Sequence, residues 1–158
     1  MNQLLIALIL SVLPVFELRG GLPLAINYSL KNNVPIFLVF SLVIFLNILV
    51  IFLIFLFLDY LHAHLIKFKF YNKIFNFYIK RIRKKAEKIE KKIPESGYLA
   101  LTLFVAIPLP VTGAWTGTFI AWLLGLERKK SILAISLGVL IAGIFVLLAT
   151  LGFFNLFS

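Results

Sequence analysis

Glu17 and Arg19 stand two residues apart in a tract, residues 4–26, that carries no other charge. An ionisable side chain at the centre of a bilayer costs roughly 2.5–3.5 kcal/mol on insertion scales, so it persists where it pairs or lines a cavity. Desolvation and a neighbouring cation act on a carboxyl group in opposite directions, so a carboxylate beside a guanidinium can be set to bind and release protons. Glu17 is therefore a candidate site for a proton or a cationic substrate. Arg19 is its counter-ion or an anchor for an anionic substrate. The alternative is a permanent ion pair that fixes a turn. Pro14 and Pro23 bracket the pair, and Gly20 and Gly21 follow it. Proline removes a backbone donor and glycine permits unusual dihedrals, which predicts a helix break formed by these four residues.

A second cluster has similar chemistry without charge. Pro108, Pro110, Gly113 and Gly117 mark another break, and Thr112, Trp115 and Thr116 stand within it, with Thr118 just beyond. Their hydroxyls and indole N–H lie beside backbone groups that a break sets free. A half-helix N-terminus here would face an anionic ligand group. Equally, the threonines would cap a turn, and Trp115 would either stack on a substrate or pack internally. Asp59, His62 and His64 match no metal-ligand spacing, so neither a metal site nor a cofactor is expected. Asn47 is expected to make an interhelical hydrogen bond. With no cysteine, no Gly-rich phosphate loop and no Ser/His/Asp set, an enzyme is not expected.

The elements that hold these residues are read from composition. The chain is 62% hydrophobic with 17 Phe and only 14% charged, and its mean hydropathy is +1.07. Long apolar runs carry that hydrophobicity, which is the pattern of membrane spans. Segments 35–58 and 131–152 are each long enough to cross as a helix. The apolar pieces on either side of each break, at about ten residues, are too short to cross ~30 Å at 1.5 Å per residue. The chain thus reads as a hairpin at 3–31, a span at 35–58, a connector at 66–93, a hairpin at 98–126 and a span at 131–152.

Charge decides the topology. Of the 16 Lys and Arg, 11 lie in residues 67–92, and three more are Arg128, Lys129 and Lys130. If each short–break–short unit crossed the bilayer, these two clusters would fall on opposite sides. If each unit is re-entrant, both fall on one side, as the positive-inside rule requires. The expectation is an all-α integral membrane protein of two inverted-topology repeats. Each repeat is a re-entrant broken hairpin followed by a full transmembrane helix, and a basic amphipathic helix at 66–93 joins them. That helix would lie on the cytoplasmic surface against anionic lipid, with both termini external. The net charge of +10 is explained in this way, and nucleic acid is not an expected partner. Two spans enclose little, so a homo-oligomer is expected.

The breaks also carry a resemblance. Residues 17–23, ELRGGLP, with 108–117, PLPVTGAWTG, and the trailing 126–130, LERKK, resemble the small multi-drug export proteins. That family is distantly similar to the DedA/VTT membrane proteins, which share re-entrant loops bearing acidic and basic residues. The resemblance implies secondary, proton-coupled transport of a small molecule at the meeting point of two re-entrant loops. Its alternative implication is translocation of a lipid or polyprenyl phosphate. A scaffold that transports nothing is the third reading.

Overall fold

The computed structural model describes residues 2–65, 67, 96–109 and 112–157. Among them the chain forms helices α1 (Asn2–Val12), α2 (Glu17–Lys31), α3 (Ile36–Leu65), α4 (Ser96–Ala106), α5 (Ala114–Leu124) and α6 (Arg128–Phe157), and no strand. Of the predicted basic helix at 66–93, every residue but Lys67 lies outside the described residues.

Length sorts the helices into two kinds. The 30 residues of α3 and of α6 reach ~45 Å, whereas the 11 residues of α1, α4 and α5 reach ~16 Å, about half a hydrocarbon core. The two long helices are apolar enough to cross a membrane. Their most apolar stretches are only 33% and 39% buried, which is not the pattern of an enclosed core helix. Phe37, Phe45, Phe57, Leu133 and Phe145 point outward, while Ser11, Ser29, Asn47, Thr118 and Ser131 are buried. An apolar exterior over a partly polar interior suits a hydrocarbon solvent.

Packing directions follow from individual contacts. In the first half, α1 and α2 form a tight hairpin. A Cβ on Gly21 would stand 2.6 Å from the Ala7 carbonyl oxygen, so only glycine allows this approach. The turn 32–35 then sends α3 back alongside. It is held by Ser29 Oγ donating to the Val34 carbonyl (2.6 Å) and Asn32 Nδ2 donating to the Tyr28 carbonyl (2.9 Å). In the second half, α4 runs parallel to α6: Thr102 Oγ1 donates to the Ala134 carbonyl at 3.0 Å, and Gly138 packs on Thr102 and Val105. Helix α5 ends with Gly125 at φ 69°. There the Leu126 and Gly125 N–H groups close on the Ala121 and Trp122 carbonyls, a Schellman arrangement. Antiparallel α3 and α6 join the halves, with Gly143 against Ile44 and Phe40 near one end and Asp59 paired with Arg128 at the other.

Several boundaries differ from expectation. Gly20, Gly21 and Pro23 belong to α2, not to a break, and Gly117 belongs to α5. The first break is confined to residues 13–16, where Pro14 cannot donate to Leu10. Pro23 lies in the body of α2, where its fixed φ is compatible with a helix and the cost is the bond to the Arg19 carbonyl. Gly117 serves close packing, since a Cβ there would stand 2.6 Å from Val105. Pro110 lies outside the described residues. Helix α3 extends past Asp59 to Leu65, and α6 starts at Arg128 rather than 131. Cations in the first turn of a helix oppose its dipole, but Asp59 neutralises Arg128 and Glu127 neutralises Lys130 at 2.8 Å.

These contacts set a test of the fold. Gly138→Val drives a side chain into the Thr102 carbonyl and Val105, and should lower stability by about 1–3 kcal/mol. Gly152→Ala, which meets nothing within 4 Å, should leave it unchanged or raise it. Thermal unfolding in detergent, followed by circular dichroism, separates the two.

Candidate functional site

The first break ends at Glu17, the first residue of α2. Its φ is 45°, in the left-handed region that costs a non-glycine residue about 1–2 kcal/mol. The side chain is buried, at 8% exposure, although it is a carboxylate in an apolar molecule. Its partner lies 98 positions along the chain: Glu17 Oε1 accepts the Trp115 backbone N–H at 3.1 Å.

Trp115 is the second residue of α5, so its N–H has no acceptor within that helix. The residue at the N-cap is Gly113, which has no side chain to supply one. A Cβ on Gly113 would overlap the Glu17 carboxylate. Glu17 thus caps α5 from the other half of the molecule, and its negative charge lies at the positive end of the α5 dipole. The indole of Trp115 returns the favour, with Nε1 donating to the Val12 carbonyl at 2.9 Å. Val12 ends α1, where a carbonyl has no helical donor because the break follows.

Arg19 completes the junction. Its Nη2 donates to the Thr112 carbonyl and lies 3.3 Å from Thr112 Oγ1. The same nitrogen is 3.9 Å from Glu17 Oε2, an ion pair but not a hydrogen bond. Thr112 Oγ1 also stands 2.7 Å from the Ile107 carbonyl and 2.8 Å from that of Leu109, which folds the second break on itself. Four of the residues singled out by sequence, Glu17, Arg19, Thr112 and Trp115, therefore meet. Thr116 takes no part in these hydrogen bonds, and Thr118 Oγ1 donates within α5 to the Ala114 carbonyl at 2.6 Å.

Two spaces adjoin the junction. One is a void of about 10 Å³, bordered by Glu17, Arg19, Thr112, Gly113 and Asn47, roughly room for one water molecule. Asn47 does not make the expected interhelical bond. Its Nδ2 donates to Val43 in its own helix at 3.0 Å, because the facing side is this void. The other is a groove of about 500 Å³ between α2 and α6, into which Arg19, Pro23 and Asn27 face. Asn27 and Thr150, which also lines it, were not singled out from the sequence. The spacing of Arg19, Pro23 and Asn27 at successive fourth positions is the signal that marks one helix face.

At the far end, Asp59 accepts from Trp122 Nε1 at 2.9 Å and pairs with Arg128. His62 stands edge-on to Trp122, and His64 Nδ1 lies 2.9 Å from the Tyr60 carbonyl. Asp59, His62, Trp122 and Arg128 tie the ends of α3, α5 and α6 together, while the His64 contact stays within α3.

The sequence model of a family described as "Putative small multi-drug export protein" matches residues 17–145. The chain belongs to this family. The match begins at Glu17, just after the first break, and takes in the second, so the small multi-drug export family model spans Glu17, Arg19, Thr112, Gly113 and Trp115 of the junction. No curated protein and no solved structure matches the chain.

The cap and the charge of Glu17 can be separated. Glu17→Gln keeps an oxygen that accepts from Trp115 and should fold with little loss. Glu17→Ala leaves that N–H without its acceptor and should cost about 1–3 kcal/mol. Gly113→Ala should destabilise as well, by displacing the carboxylate. Denaturation of the three variants, with tryptophan emission as the probe, gives the order.

Proposed function

We propose that this small multi-drug export family member is a proton-coupled secondary transporter whose substrate passes where the two breaks meet. The single observation that carries the reading is a buried, ionisable carboxylate serving as the helix cap that joins the two halves. A carboxylate accepts from N–H about twice as strongly as a neutral group does. Protonation of Glu17 therefore loosens its hold on α5, and deprotonation restores it. The junction then has two states set by one proton, which is the element that coupled transport requires. Arg19 is the counter-ion that makes the charged state tolerable at this depth.

The same reading assigns the membrane topology. Helices α1 and α2 enter and leave by the face that holds the 32–35 turn, and α4 and α5 by the face that holds Glu127. The halves are then inverted repeats with re-entrant hairpins, and paired broken helices of this kind mark the substrate site of many transporters. Arg128, Lys129, Lys130 and the basic connector share the cytoplasmic side, in keeping with the positive-inside rule.

Flux in proteoliposomes under an imposed pH gradient tests the coupling. A panel of lipophilic fluorescent dyes, both cationic and anionic, should include members moved by the wild type. Glu17→Gln should abolish gradient-driven movement while remaining folded. Movement by that variant at the wild-type rate would remove Glu17 from the mechanism. The topology is checked separately, since the chain has no cysteine. Asn33→Cys should react with an impermeant maleimide from outside intact cells, and Glu127→Cys only after lysis.

A further inference from the structure

The groove beside the junction holds a second piece of chemistry. Arg19 and Asn27 of α2 and Thr150 of α6 supply its polar lining. The remaining walls are apolar, including Leu24, Phe145, Ala149 and the edge-to-face pair Phe153 and Phe154. A volume of about 500 Å³ falls in the range of small-molecule sites, which combine mostly apolar walls with a few fixed polar groups.

The two charges of the junction face different spaces. Glu17 borders the small void and does not line the groove, and no acidic side chain among the described residues does. Arg19 borders both. Its recorded bonds to Thr112 and its approach to Glu17 all use Nη2. A guanidinium carries five N–H donors, and those on Nε and Nη1 have no acceptor among the described residues. Side-chain exposure of 21% at Arg19 leaves them reachable from the groove. Pro23, one turn further along the same wall, supplies no N–H to the Arg19 carbonyl. A positive charge with unused donors on the wall of a mostly apolar trough is complementary to one kind of molecule.

From this geometry we infer that the groove binds a small amphipathic organic anion, an aromatic or aliphatic body bearing one carboxylate or sulfonate, with the anionic group on Arg19 and the body against α6. This names the substrate class for the transport reading above and takes its physiological meaning from it. Cations of the same shape are disfavoured by Arg19 and gain nothing from Glu17, whose carboxylate is engaged with α5.

The test is a binding measurement that needs no transport. The whole protein is placed in phosphatidylcholine nanodiscs, and equilibrium dialysis is run at neutral pH with anthracene carboxylate and with anthracenylmethylammonium, empty discs being subtracted. These probes share a ring system and differ in charge. The anion should bind saturably and roughly tenfold or more tightly than the cation, as a charge-assisted hydrogen bond provides. Arg19→Gln should erase the preference. Because Arg19 also holds Thr112, the decisive variant is Ala149→Trp, which fills the groove away from the junction. It should weaken anion binding by a similar factor while leaving the unfolding temperature unchanged. Equal binding of the two probes, or anion binding that Ala149→Trp does not alter, would overturn the inference. The two readings fail separately. Anion binding with flux that ignores Glu17 would end the coupling proposal and leave the groove. Glu17-dependent flux without anion binding would do the reverse.

Discussion

A helix that stops inside an apolar medium leaves N–H and C=O groups with neither water nor a next turn to satisfy them, at several kcal/mol each. This molecule interrupts its apolar helices twice, after α1 and after α4, and each interruption supplies what the other lacks. The Trp115 N–H finds Glu17, the Val12 carbonyl finds the Trp115 indole, and the Thr112 carbonyl finds Arg19. Much of the rest of the fold follows from bringing these two places together. The short helices are about half a membrane long, so their tips can meet. Gly21, Gly117 and Gly138 let neighbouring helices approach closely enough that the junction does not splay. The long helices α3 and α6 frame it.

Much of this plan is readable in the residues themselves. Hydropathy marks the two long helices, proline marks where α1 and α4 stop, and a lone Glu and Arg in an apolar tract mark the junction. What is not readable is how each glycine is used. Gly20, Gly21 and Gly117 look like interruptions, yet they sit inside helices, because small size serves close packing as well as it serves a turn. Pro23 misleads for a related reason, since a proline in a helix forfeits one bond without ending it. Pairings across 98 positions, such as Glu17 with Trp115, leave no local trace. Nor does the preference of Asn47 for its own helix, which depends on a void that exists only once five helices have packed. The ends of α3 and α6 run into charged residues because ion pairs between them, not apolarity, sustain the last turns.

The two ends of the molecule are built differently. Where α3, α5 and α6 converge, Asp59, Trp122 and Arg128 form a polar clasp, and Phe55 lies under the Arg128 guanidinium at 5.2 Å. A half-exposed ion pair contributes only about 0–1 kcal/mol by itself, but an indole donor and an aromatic face restrain the same side chains. Toward the opposite end, α2 and the C-terminal half of α6 part around the groove. Arg19 of the junction is reachable from that groove.

The cap that Glu17 places on α5 also has a consequence for biosynthesis. Chains grow from the N-terminus, so α1, α2 and the carboxylate are made before α5 exists. Another 98 residues must be added before the Trp115 N–H is available, roughly 5–20 s at ordinary ribosomal speeds. Throughout that interval the first hairpin carries an unfinished end. The nascent first half therefore holds its capping carboxylate without a partner until the second half has been made.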